Sequence, residues 1–222
     1  AHTRDVEVLG GLIKAMPATA IFFLAGSVAV CALPPFNGFI SEFLIYFGML
    51  RGLSVNNFFV ILTLLFAIAA LAFVGTMAML AFTKAFSIIF LGSPRSEKAQ
   101  HVIDKKEDAS LSMTVPMGFL SLLMLLIGLF PQYVFKYLHT PVNVLLSFNA
   151  VTISSATAEI LQQISTFALL FLAFILILVL IKLKFGTKVQ MHETWGCGYD
   201  RLNNHIQYTA SSYASPFLSM LR

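Results

Sequence analysis

The stretch Leu33-Pro34-Pro35-Phe36-Asn37-Gly38-Phe39-Ile40-Ser41-Glu42-Phe43 sets a double proline, a glycine and one carboxylate inside a run otherwise too apolar for water. Glu42 is the only acidic residue between Glu7 and Glu97. Its neighbours Phe39, Ile40, Phe43, Leu44 and Ile45 are those of a membrane helix, where an ionisable group is costly and usually functional. Pro34 and Pro35 interrupt a helix, and Gly38 permits an irregular restart. A helix broken inside a bilayer frees backbone polar groups, which is tolerated where they line a polar cavity. Break and charge together predict a discontinuous membrane helix that carries a titratable group.

Composition agrees with a bilayer as solvent. Of 222 residues, 58% are hydrophobic and 11% charged, where soluble domains carry roughly 25% charged residues. Several charge-free runs reach the length of about 20 residues that spans hydrocarbon, which predicts an all-α, polytopic bundle of about five spanning helices. The chain opens at Ala1 without a charged leader and stops at Ser219 to Arg222 without an end signal, so an internal piece of a longer protein is expected. The net charge of +4 is carried in loops beside apolar spans. That distribution fits anionic lipid better than nucleic acid. Cys31 and Cys197 lie far apart without C-x-x-C spacing, so neither a disulfide nor a metal site is expected.

Along the chain, the Gly10-Gly11 interruption predicts a loop or short surface helix over residues 1 to 15. Helix A is expected from Met16 to Leu33, helix B from Phe36 to Leu50, and helix C from Asn57 to Leu91. A straight helix C would be about 52 Å long, well beyond the roughly 30 Å of hydrocarbon. Part of it is expected to project or tilt, with Lys84 snorkelling from its end. Residues 92–112 read as a solvated, charged connection. Helix D follows from Met113 to Phe130, ending at Pro131. Residues 132–158 read as a surface loop with an interfacial or half-inserted helix, helix E runs from Ile160 to Ile181, and 187–222 form an extramembrane tail. Loops after helices A, C and E hold Lys84, Arg95, Lys98, Lys105, Lys106, Lys182, Lys184 and Lys188. The opposite side holds Arg4, Lys14, Arg51 and Lys136, so the first side is the expected cytoplasmic one.

The segments HTRDVEVLGGLIKAMPATA (residues 2–20) and ALPPFNGFISEFL (residues 32–44) resemble the antiporter-like membrane subunits shared by complex I, Mrp-type cation/proton antiporters and membrane-bound nickel-iron hydrogenases. The tail motif Trp195, Gly196, Cys197, Gly198, Tyr199, with IQYTASSYASP (residues 206–216), is similar to the hydrogenase 4 and formate hydrogenlyase branch. This resemblance implies a pair of inverted repeats, each with a broken helix, forming linked half-channels for protons. Residues 1–91 would hold the end of the second repeat and 113–186 the additional helices D and E; the first repeat lies outside this chain.

Within that resemblance Glu42 matches the charged residue of the second broken helix, with Pro34, Pro35 and Gly38 as the break. Lys84 matches a basic residue late in the following long helix, and His2 falls in a motif close to the end of the preceding one. These three are the expected proton-relay residues. The bland alternatives are a Glu that snorkels or hydrogen-bonds near Ser41, a Lys at a headgroup boundary and a loop histidine. No P-loop, dinucleotide fingerprint, zincin motif or nucleophile elbow occurs, and two distant cysteines cannot hold an iron-sulfur cluster. No catalytic residue, metal ligand or cofactor is therefore expected in this chain. The implied partners are the lipid bilayer, other membrane subunits and a peripheral redox arm, at a cell inner membrane. Rival readings are a membrane anchor without transport of its own, a sodium/proton antiporter of the Mrp kind, and a respiratory complex I subunit.

Overall fold

The structure, a computed structural model, describes residues 3, 5–106, 108–146 and 155–186, together with positions 209, 211, 212 and 219 of the tail. Every regular element among the described residues is a helix. Short 3-10 turns at Val6–Val8 and Leu12–Lys14 precede α1 (Pro17–Val30), α2 (Asn37–Gly52), α3 (Phe58–Phe90), α4 (Glu97–Lys105), α5 (Leu111–Leu129), α6 (Pro131–Leu146) and α7 (Ser155–Phe185). Among the described residues α3, α5 and α7 are long and apolar enough to cross a membrane, and α1 is a shorter apolar helix. At 33 residues, α3 is about 50 Å long. The expected helices A, B, C, D and E correspond to α1, α2, α3, α5 and α7.

The structure adds detail to the sequence reading at three places. The charged connection contains α4, whose Ser96 accepts from the N–H of Ala99 as N-cap and whose Lys106 adopts a left-handed conformation as C-cap. Pro131 follows the end of α5 at Leu129, as expected, and also opens α6, because proline at the first helical position loses no intrahelical bond. The helix expected from Met113 starts two residues earlier, at Leu111, which puts Pro116 in its second turn.

The chain divides into two compact units, one comprising Ala1–Ser27, Met77–Gly118 and Thr187–Arg222, the other Val28–Thr76 and Phe119–Gly186. In the first, Leu12, Ala20 and Phe90 form a buried cluster against which Phe23, Phe86, Val102 and Ile103 pack. The rings of Phe23, Phe86 and Phe90 meet at centroid distances of 5.4 to 6.5 Å. Gly10 and Gly11 explain the polar N-terminal segment. Both have positive φ, and a side chain on Gly10 would run into the Ser93 carbonyl. The chain therefore lies directly on the turn after α3, with the Gly11 N–H donating to Leu91 O at 2.8 Å. Arg95 Nη1 donates to Leu9 O (2.6 Å) and Ile88 O (3.1 Å), and the Ser96 hydroxyl to Val8 O (2.8 Å).

In the second unit α6 and α7 are joined by Ser165, whose hydroxyl donates to Gln132 Oε1 at 2.6 Å, with Leu161 O a second acceptor at 3.0 Å. Leu161 is almost wholly buried here. Phe39, Phe43 and Phe47 form an aromatic ladder along α2, capped by the Arg51 guanidinium over the Phe47 ring at 5.0 Å.

Candidate functional site

The site is the interruption between α1 and α2. After Val30 the helix ends in a Schellman-type turn: Ala32 is left-handed (φ 52°), its N–H donates to Ala29 O at 3.2 Å, and the Leu33 N–H donates to Val28 O at 3.1 Å. The Pro34–Pro35 peptide bond is cis. Phe36 then forms an extended N-cap with no side-chain hydrogen bond, and α2 begins at Asn37.

Two glycines seat this turn. A Cβ on Gly38 would run into the Ala29 carbonyl, so α2 restarts with its backbone against the end of α1. A Cβ on Gly128 of α5 would run into Pro35 O and lie 2.8 Å from Phe36 Cα. The linker is thus clamped from a second helix. Gly128 was not legible as a site residue; its one signal is a lone glycine inside a helical pattern, which marks a close approach or a bend without saying to what.

The polar groups near the break divide between two faces of α2. Asn37, Ile40, Ser41 and Leu44 wall a mostly apolar cavity of about 170 Å³, closed by Ile127, Val134, Phe135, Leu138 and Leu161 among others. Asn37 Oδ1 is buried without a hydrogen-bond partner, while the Ser41 hydroxyl is satisfied by Gly38 O at 2.9 Å. Glu42 is absent from that wall. It is half-buried and makes no hydrogen bond or ion pair among the described residues. The position a Cβ would take on Gly75 of α3 lies 3.9 Å from Glu42 Oε2, the one heavy atom within 4 Å of it. The Cys31 thiol is within electrostatic reach of the carboxylate. A carboxyl with no internal partner can exchange a proton without first breaking a salt bridge.

Lys84 is half-buried on α3 and belongs to the first compact unit. Ser87 donates to its carbonyl at 3.0 Å. His2 and the motif Trp195 to Tyr199 lie outside the described residues. No cluster of His, Cys, Asp and Glu suited to a metal ion occurs among the described residues.

A helical membrane chain with a proline-broken, carboxylate-bearing helix defines a class, and residues 1–71, which contain that break, match the family described as NADH:quinone oxidoreductase/Mrp antiporter, TM. Particular relatives sharpen the branch. The chain is 31% identical over 218 residues to formate hydrogenlyase subunit 3 of Escherichia coli, covering 96% of this chain and 33% of that protein. It is 37% identical over 128 residues to hydrogenase-4 component B of Escherichia coli (58% and 18%). Against Na(+)/H(+) antiporter subunit A1 of Staphylococcus saprophyticus the identity is 35% over 134 residues (58% and 16%). The chain thus spans a third or less of the length of these curated relatives.

Proposed function

We infer that this chain is part of a proton-translocating membrane subunit of a hydrogenase-type complex, with Glu42 as a relay group. The observation that carries the reading is the state of that side chain: a half-buried carboxylate just past a helix break, with no hydrogen bond or ion pair among the described residues. An ionisable side chain among membrane helices without a structural partner is a functional-site candidate by default. The break supplies the uncapped start of α2, where backbone groups without helical partners favour polar company. Redox chemistry takes place in other subunits and reaches this one through conformational or electrostatic coupling. Its partners in this reading are the lipid of a cell inner membrane, neighbouring membrane subunits and a peripheral redox arm. Lys84 and His2 are further stations of the same path.

The test is Glu42→Gln in the full-length protein within its assembled complex. Proton translocation falls to background while electron transfer continues; undiminished pumping would remove Glu42 from the path. A second reading, sodium/proton exchange, is favoured by the similarity to the Na(+)/H(+) antiporter subunit. Dependence of transport on external sodium in vesicles separates the two.

A further inference from the structure

Resting on the relay reading of Glu42, we propose that Gly75 of α3 is a positioning residue for that relay: the missing side chain keeps open the space in which the Glu42 carboxylate sits and exchanges its proton. The geometry is specific. Around the direction a Cβ would take from Gly75, Glu42 Oε2 is the nearest heavy atom, at 3.9 Å, and no other lies within 4 Å. This differs from the other close glycines of the same unit. Gly38 and Gly128 face backbone and Gly52 faces the Leu64 side chain, so their lack of a side chain serves packing. Gly75 faces a functional carboxylate and open space.

The surroundings of Glu42 leave few other groups to hold it. Between Phe58 and Thr76, α3 offers no titratable side chain, and the Thr76 hydroxyl is engaged by Ala72 O at 2.9 Å. From the end of α1 the Cys31 thiol reaches the carboxylate electrostatically. On α2 itself Tyr46 stands one turn on, and Arg51 is engaged at the helix end by the Phe47 ring. On α6 and α7 the titratable residues among the described side chains are Tyr133, Lys136, Tyr137, Glu159, Lys182 and Lys184, and the cavity those helices wall with α2 excludes Glu42. Room for solvent at the carboxylate is therefore set by what stands at position 75.

A methyl group at position 75 meets only ordinary contact distance, whereas a branched chain occupies the volume of the carboxylate. Backbone propensity works the other way: alanine and leucine favour a helix over glycine. A purely structural glycine and a positioning glycine thus give opposite patterns. The experiment compares Gly75→Ala, Gly75→Leu, Glu42→Gln and the exposed control Ala70→Leu in the full-length protein, measuring complex assembly, electron transfer and proton translocation across pH 5 to 9. Expected for Gly75→Leu is normal assembly and electron transfer with translocation down roughly tenfold to a hundredfold, the size of effect that misplacing a reacting group produces. Gly75→Ala retains translocation but with its pH profile displaced from that of the parent, and Ala70→Leu changes nothing. Wild-type translocation and pH profile in both Gly75 variants overturn the positioning role while leaving Glu42 intact as a relay. Equal losses in Ala70→Leu, or loss of assembly in Gly75→Ala, overturn it too. Full translocation by Glu42→Gln instead overturns the relay reading itself.

Discussion

The Asp108 carboxylate caps the first turn of a helix 89 to 90 residues before it: Oδ1 accepts from the Thr19 hydroxyl at 2.6 Å, and Oδ2 from the Ala18 N–H at 2.8 Å. These groups belong to the first turn of α1, where N–H groups lack intrahelical acceptors and negative charge is favoured. A residue read from sequence as part of a solvated connection is thus the N-terminal anchor of the helix that leads to the break.

Asp108 makes that anchor acid-sensitive. Partial burial pushes its carboxyl up, but hydrogen bonds from the Thr19 hydroxyl and from the N–H groups of Ala109, Ala18 and Thr19 outweigh it and hold it below its ordinary value. A carboxyl lowered in the folded state contributes stability above its unfolded value of about 3.9. That contribution is lost as the pH falls through the folded value. Amide exchange at Ala18 and Thr19 in detergent-solubilised protein should therefore accelerate as the pH falls below about 4, beyond the intrinsic pH effect. Asp108→Ala should lose about 1 kcal/mol at neutral pH and show no such acid limb.

Arg95 holds the N-terminal segment to the end of α3 by donating to Leu9 O and Ile88 O. Hydrogen bonds from a charged donor contribute about 1.5–3 kcal/mol each. Arg95→Ala should expose the segment around Leu9 to limited proteolysis, and Arg95→Lys should recover only part of the protection, because an ammonium lacks the planar fork.

Two glycines of α5 should answer differently to the same substitution. At Gly118 a Cβ meets the Phe22 ring at 3.3 Å, a side chain that can yield. At Gly128 it meets the backbone of Pro35 and Phe36. Gly128→Ala should lower thermal stability by about 1–3 kcal/mol, as overpacking against rigid neighbours does. Gly118→Ala should stay within about 1 kcal/mol of the parent, helix propensity offsetting the contact.

Ser165→Ala removes the donor to Gln132 Oε1. The α6–α7 pair should lose about 1 kcal/mol, measured by thermal unfolding, and Gln132→Leu added to Ser165→Ala should restore most of it by removing the stranded acceptor.

The spans, the break and the lone carboxylate were legible because each is a local property of consecutive residues. Proline stops a helix wherever it stands, and a charge-free run of sufficient length belongs in hydrocarbon without reference to its neighbours. The two faces of the break were not. Ser41 read as a polar neighbour of Glu42, yet with Asn37 it lines a cavity from which Glu42 is absent. Lone glycines read alike in sequence, while Gly38, Gly75 and Gly128 face different atoms.

By itself the amino-acid sequence determined that this chain lives in a membrane as a helical bundle, that its second helix restarts after Pro34 and Pro35, and that Glu42 is the charge beyond the restart. Tertiary structure alone decided what holds the break and what faces the charge. Asp108 caps α1 across 89 residues, Gly128 lies on the Pro35 backbone, and Gly75 borders the carboxylate. The physical reason is range. Hydrophobic runs and helix breaks act over a few residues, but a cap, a close backbone approach and the space beside a carboxylate exist only once distant segments have packed.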